Sequence, residues 1–249
     1  MSNIEVEHLE SFLEYLLRNS HVAHIFGPTR SALTIIKKRL QGVHDKWIIP
    51  IKQMIIPIKN KRLESHDPHI VIGGIIEGNK NIIIRQSISL YIIYKDKISN
   101  KGNNKNQPKN NSCCNLNGYR NRIVRKFHFD YQITTEKNQG IIPLSHIQYG
   151  GELKLIEDLP NMHYCLDDYL ENPRICYPPL DLLLVFDFIL REFDTDIKKI
   201  LLEGNWKKLV KKSESKWLKD YYKKIDEYFK LETKKQTLFD YLYSMEKLN

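Results

Sequence analysis

Two histidines, an aspartate and nearby cations occur at spacings that could do acid–base chemistry on a phosphodiester. The stretch Arg122 to Gly151, RIVRKFHFDYQITTEKNQGIIPLSHIQYGG, carries Lys126, His128 and Asp130 early and His146 and Gln148 late. Imidazole titrates near neutrality, so one histidine can take the proton of a ribose 2′-hydroxyl while the other protonates the leaving oxygen. A cation stabilises the charge on the phosphorane between them. His128, His146, Asp130 and Arg85 are therefore the catalytic candidates, with Asp130 orienting an imidazole. Lys126, Gln148 and Arg174 are the candidate substrate-binding residues. His128, Asp130 and His146 also suggest a metal site, but their spacing matches no established ligand pattern, so no metal and no cofactor is assigned. The plainest alternative is that these residues are simply the solvated face of an antiparallel sheet.

What could gather them is strand alternation, because successive strand side chains point to opposite faces. From Ile123 one face reads Ile123, Arg125, Phe127, Phe129, Tyr131 and Ile133, and should meet a core. The other reads Val124, Lys126, His128, Asp130 and Gln132, and should meet water or a cleft. In the second strand, Leu144 to Tyr149, His146 and Gln148 share a face. If the two strands pair in the right register, His128, Asp130, His146 and Gln148 become neighbours; a slip of one residue sends His146 to the core side. Gly150-Gly151 ends the second strand.

The flanking chain supplies the scaffold. Ile4 to Leu17 has helical apolar spacing, and a second helix should run through Leu40 after the Gly27-Pro28 break. Ile48 to Ile58 suits either an apolar helix bracketed by Pro50 and Pro57 or an edge segment. The sheet should begin near Ile70, with Gly73-Gly74 marking a bulge or bend and Glu77 to Lys80 forming a hairpin turn. In Asn81 to Tyr94, Ile82, Ile84, Ile88, Leu90 and Ile92 form one face, interrupted by Gln86. Arg85, Ser87, Ser89 and Tyr91 form the other. Lys95 to Arg120 is polar and Asn-rich and reads as a mobile surface insertion. Arg174 to Tyr177 reads as a last short strand, Pro178-Pro179 as the first position of a helix to Phe193, and Thr195 to Asn249 as helical.

The chain has 249 residues, a net charge of +9 and a pI near 9.2. Such charge favours nucleic acid or an anionic surface as partner, although an Ile-, Lys- and Asn-rich composition also raises lysine without functional cause. Four cysteines, two of them adjacent, give neither a disulfide framework nor zinc spacing. No signal peptide and no apolar run of about 20 residues is present, so a cytoplasmic protein without membrane contact is expected. No phosphate loop, dinucleotide fingerprint or H-E-x-x-H occurs.

The segments FHFDYQ, PLSHIQYGG and NPRICYPPLDLLL, within Phe127 to Phe193, resemble uncharacterised bacterial proteins of domain-of-unknown-function type. That resemblance implies that Asp130, His146, Gly150, Gly151 and Arg174 belong together, and no activity. The His-bearing strands are also similar to those of small toxin families, an analogy of fold only. The expected architecture is α+β: helices over 1–69, an antiparallel sheet of four to six strands over 70–178 with the insertion 95–120, and helices over 179–249. The expected function is action on nucleic acid, RNA rather than DNA, as a metal-independent ribonuclease of toxin or defence type. The alternative is a non-catalytic accessory subunit that binds nucleic acid or a protein partner.

Overall fold

The computed structural model describes residues 7–23, 34, 38, 46–59, 68–79, 82–97, 119–132, 145–149, 164–166, 174–231, 237, 238 and 241. Helix α1 (Glu7–Arg18) buries Leu9, Phe12, Leu13 and Leu16, one stripe at i, i+3, i+4 and i+7. A single turn, α2 (Ser20–Ala23), follows. The sheet is built from β1 (Lys46–Pro57), β2 (His69–Asn79), β3 (Ile82–Lys97), β4 (Tyr119–Gln132), β5 (Ser145–Tyr149) and β7 (Arg174–Cys176), antiparallel in the order β1-β2-β3-β4-β5-β7. The short strand β6 (Tyr164–Leu166) adds in parallel beside Asn121–Ile123 of β4. Helix α3 (Leu182–Glu192), a 3-10 segment (Lys198–Leu202), α4 (Gly204–Trp217) and α5 (Lys219–Lys230) complete an α+β fold. No helix among the described residues is long and apolar enough to cross a membrane.

Several expectations are corrected. The sheet begins at Lys46, not Ile70, because the proline-bracketed segment is an extended edge strand and not a helix. An edge tolerates Pro50, which has no N–H to give a second neighbour. The bulge expected at Gly73-Gly74 is present, but its extra residue is on β1, opposite Gly73 and between Ile51 and Met54, while the ladder with β3 is regular. Pairing of β2 with β3 continues to Asn79↔Ile82, so Glu77 to Asn79 are strand, and Lys80 lies outside the described residues. A register shift beside Glu77 leaves Ile84 exposed and puts Ile83 in the core instead. Pro178 and Pro179 precede α3 without starting it, since Asp181 is its N-cap. The insertion's interior, most of the second N-terminal helix and residues 152–156 lie outside the described residues.

One face of the sheet meets the helices. Ile70, Ile72, Ile88, Leu90, Phe129 and Tyr131 share a continuous core with α1, α3 and α4. Gln86 interrupts this apolar face for a reason the sequence hides: its amide donates to the Leu180 carbonyl just before α3. The helices are held to one another by two buried carboxylates, Asp181 and Asp187, and a half-buried one, Glu203. Asp181 Oδ1 accepts from the Leu184 N–H (2.8 Å), and its Oδ2 accepts from Ser213 Oγ of α4 (2.6 Å) and lies 2.7 Å from His8 Nε2 of α1. Asp187 accepts from Trp206 Nε1 (2.8 Å) and Arg191 Nε (2.6 Å). Glu203 accepts from Tyr15 Oη (2.6 Å) and Asn19.

Removing one partner of a buried, hydrogen-bonded charge leaves the rest uncompensated. Asp181→Ala should therefore destabilise the protein by roughly 3–5 kcal/mol in denaturant melts, far more than an isolated N-cap loss of about 1 kcal/mol. At Gly74, φ is +149° and a Cβ would collide with the Ser87 carbonyl oxygen, whereas a Cβ on Gly73 would sit 3.8 Å from the Ile51 carbonyl oxygen. Gly74→Ala should cost about 3 kcal/mol and Gly73→Ala under about 1 kcal/mol, read from the same melts.

Candidate functional site

The site lies on the other face of the sheet, and β4 sets its orientation. Phe129 stacks edge-on with Phe188 of α3 (5.9 Å between centroids), and Tyr131 with Trp217 of α4 (5.0 Å). Burial of these odd-numbered residues turns Lys126, His128, Asp130 and Gln132 away from the helices. The alternation breaks upstream. Ile92 pairs with Arg125 but Ile93 with Ile123, so Val124 is an extra residue. Consequently Val124 packs on the main core, while Ile123 joins Val71, Tyr91 and Ile93 in a small cluster on the site face, the reverse of the simple period-two reading.

Register with β5 pairs Asp130 with His146 and His128 with Gln148. Extended across the sheet, one rung runs Ser87–Asp130–His146–Cys176 and the next runs Ser89–His128–Gln148–Arg174. The structure thus brings His128, Asp130, His146 and Gln148 onto one face, with the two histidines diagonal neighbours. His146 Nε2 lies 3.3 Å from Asp130 Oδ2. His128 Nδ1 shares a 2.6 Å hydrogen bond with Ser89 Oγ, and its ring meets Tyr91 edge-on at 6.4 Å. Ser87, Ser89 and Tyr91 were not among the sequence candidates. Their signal was present in the alternation of β3, but only the β3–β4 register shows that they stand opposite Asp130, His128 and Lys126.

Two candidates move. Arg85 pairs with Glu77 at 3.0 Å and stands opposite Gln132, one rung beyond Asp130 and two from His128. Two rungs are about 14 Å of strand, so Arg85 does not stand between the histidines. Lys126 is only 3% exposed, with its Nζ 5.7 Å from the centre of the Tyr91 ring, a buried cation–π contact. Of the two surroundings expected for this face, water or a cleft, open water is not what these residues meet. Ser89 and Tyr91 are fully buried and His146 is 7% exposed, while the Asp130 side chain retains 27%. Arg174 is placed by its backbone at the end of the His128 rung.

Burial pushes the Asp130 carboxyl up, but the neighbouring His146 imidazole and Ser87 hydroxyl and the charges of His146 and His128 bring it below the ordinary carboxylate value. Burial raises the Tyr91 hydroxyl, and pushes that of Tyr131 up to about 12. Among the described residues no three His, Cys, Asp or Glu side chains converge on one point, so the metal reading of His128, Asp130 and His146 lacks its ligand geometry. What the arrangement can do is hold and move protons: an imidazole 3.3 Å from a carboxylate beside a hydroxyl-bound one.

No family model, no curated protein and no solved structure matches the chain.

The depressed Asp130 group stabilises the folded state above the ordinary value of 3.8, and that contribution disappears as pH falls through the lower folded-state value. Asp130→Asn should therefore show a flatter decline of stability than the parent protein as pH falls from 3.8 to that lower value, measured as urea midpoints across an acid pH series.

Proposed function

We propose that the chain acts on RNA as a metal-independent ribonuclease of toxin or defence type, working in the cytoplasm. The observation that supports this is the β4–β5 register, which sets His128 and His146 diagonally on one face with Asp130 between them. In this reading His146, oriented by Asp130, takes the proton of the 2′-hydroxyl. The 2′-oxygen attacks phosphorus, the bond to the 5′-oxygen breaks, and His128 gives that oxygen its proton. The products are a 2′,3′-cyclic phosphate and a 5′-hydroxyl. Ser89 on Nδ1 of His128 orients the ring so that Nε2 delivers the proton. Arg174, on the His128 rung, replaces Arg85 as the cation assigned to the phosphate, and Gln148 is assigned to the substrate. The resemblance that grouped Asp130, His146 and Arg174 is compatible with this grouping.

A second reading is favoured by one observation. His146 and Lys126 are withdrawn from solvent, as befits a buried polar network that stiffens a sheet. In that case the chain is a non-catalytic accessory subunit that binds nucleic acid or a protein partner.

Incubation of purified protein with labelled single-stranded RNA and DNA in EDTA separates the two. The ribonuclease reading expects cleavage of RNA alone. His128→Ala and His146→Ala should each lower the rate at least about 100-fold, the usual worth of a general acid or base. Cleavage that needs added metal, or that survives both substitutions, would sink the two-histidine mechanism. Absence of cleavage moves the assignment to the accessory subunit.

A further inference from the structure

A second surface lies on the opposite side of the molecule. Helix α4 buries Trp206, Val210, Ser213 and Trp217 against the core that covers the Phe129 and Tyr131 face of the sheet. Its outer face carries Lys207, Lys208, Lys211 and Lys212, all exposed. The sheet and the helical layer therefore stand between these lysines and the His128–His146 face.

This stripe is energetically unfavourable for the helix that carries it. Lys207/Lys211 and Lys208/Lys212 are like-charge pairs at i,i+4, an arrangement that destabilises a helix. Lys207 and Lys208 also fall within the first five residues of α4, where the helix dipole disfavours cations. Several other cations are paired: Lys223 with Glu227, Lys230 with Asp226, Lys59 with Asp196, Arg85 with Glu77 and Arg191 with Asp187. The single acid of α4, Glu214, acts on Arg191. Among the described residues no ion pair forms at Lys207, Lys208 or Lys211. Compositional lysine enrichment would scatter cations among acids; Lys207, Lys208 and Lys211 instead lie within five residues of one another without the i,i+4 ion pair that Lys223 and Lys230 each make on α5.

We propose that this lysine stripe of α4 binds the phosphate backbone of double-stranded nucleic acid without reading its sequence. The other residues of α4's exposed face are Gly204, Asn205, Glu214 and Ser215. With no exposed apolar anchor it is ill-suited to insertion into a membrane interface. Without exposed aromatics it offers single-stranded bases nothing to stack on. It also lacks the aromatic and arginine anchors on which protein interfaces rely. Lysines used as point charges suit a uniform phosphate array. The surface is separate from the histidine site, so failure of RNA cleavage would not bear on it.

The test is fluorescence anisotropy of a labelled random-sequence duplex across a salt series, with the full chain and with Lys207→Ala/Lys208→Ala/Lys211→Ala. Alanine raises helix propensity at exposed positions, so the variant should fold, as a circular-dichroism melt will verify. Three lost phosphate contacts at about 0.9 each should lower the slope of log affinity against log salt by about 2.7, and weaken binding about tenfold or more at low salt. Lys223→Ala/Lys230→Ala, which removes paired lysines, should leave the slope nearly unchanged. An unchanged slope in the triple variant overturns the proposal. So does parent protein that fails to bind duplex at low salt, that prefers single strands, or that binds phosphatidylserine vesicles as tightly as duplex.

Discussion

The carboxylate of Asp181 is where the two ends of the chain are tied together. It caps α3, receives Ser213 from α4 and holds His8 of α1, with all three residues nearly excluded from water. His8 Nε2 lies 2.7 Å from Asp181 and 3.2 Å from Trp217 Nε1, and one ring nitrogen cannot donate to the first while accepting from the second. The charge-assisted contact is the stronger, so Nε2 carries the hydrogen toward Asp181 and the indole lies edge-on beside the imidazole. A buried carboxylate is tolerable only because its lone pairs are taken up in this way.

From that point a chain of contacts reaches the candidate site. Trp217 packs on His8 and on Tyr131, and Tyr131 is the β4 neighbour of Asp130. Because the aromatic side of β4 is committed to the helices, the polar side must present itself to the far face, and β3 and β5 then supply partners rung by rung. The result has few exposed charges. Asp130 is held ionised by His146 and Ser87, His128 is oriented by Ser89, and Lys126 lies against Tyr91. A site of this kind is preorganised, since its side chains are fixed before any ligand arrives. The same closeness limits what can reach it, and this is why the ribonuclease and accessory readings both draw on this geometry.

The two charged regions illustrate different uses of cations. On the site face, cations are buried or paired and act on neighbouring groups. On the outer face of α4, lysines are exposed, repel one another and oppose the helix dipole. The 39 lysines and arginines are therefore not equivalent: some are paired with acids in salt bridges and add nothing to the net charge of +9, and others, such as Lys207, Lys208 and Lys211, stand exposed without an ion pair among the described residues.

By itself the sequence determined the α+β class, the helical stripe of Leu9, Phe12, Leu13 and Leu16, and the two-faced character of β4, because each follows from a local period of 3.6 or 2. It also made the grouping of His128, Asp130, His146 and Gln148 legible as a conditional, true for one register and false for the next. Only the tertiary structure decided that register. It also placed Ser87 and Ser89 behind the acidic and basic groups, removed Arg85 from between the histidines and inserted Val124 as the residue that reverses the faces upstream. Burial was equally invisible, since Lys126 reads as a surface cation until Tyr91 is found beneath it. The deepest omission was Asp181, whose partner His8 lies 173 residues away. Periodicity is a property of neighbouring residues, whereas register, burial and pairing depend on which distant segment arrives opposite, and no local pattern encodes that.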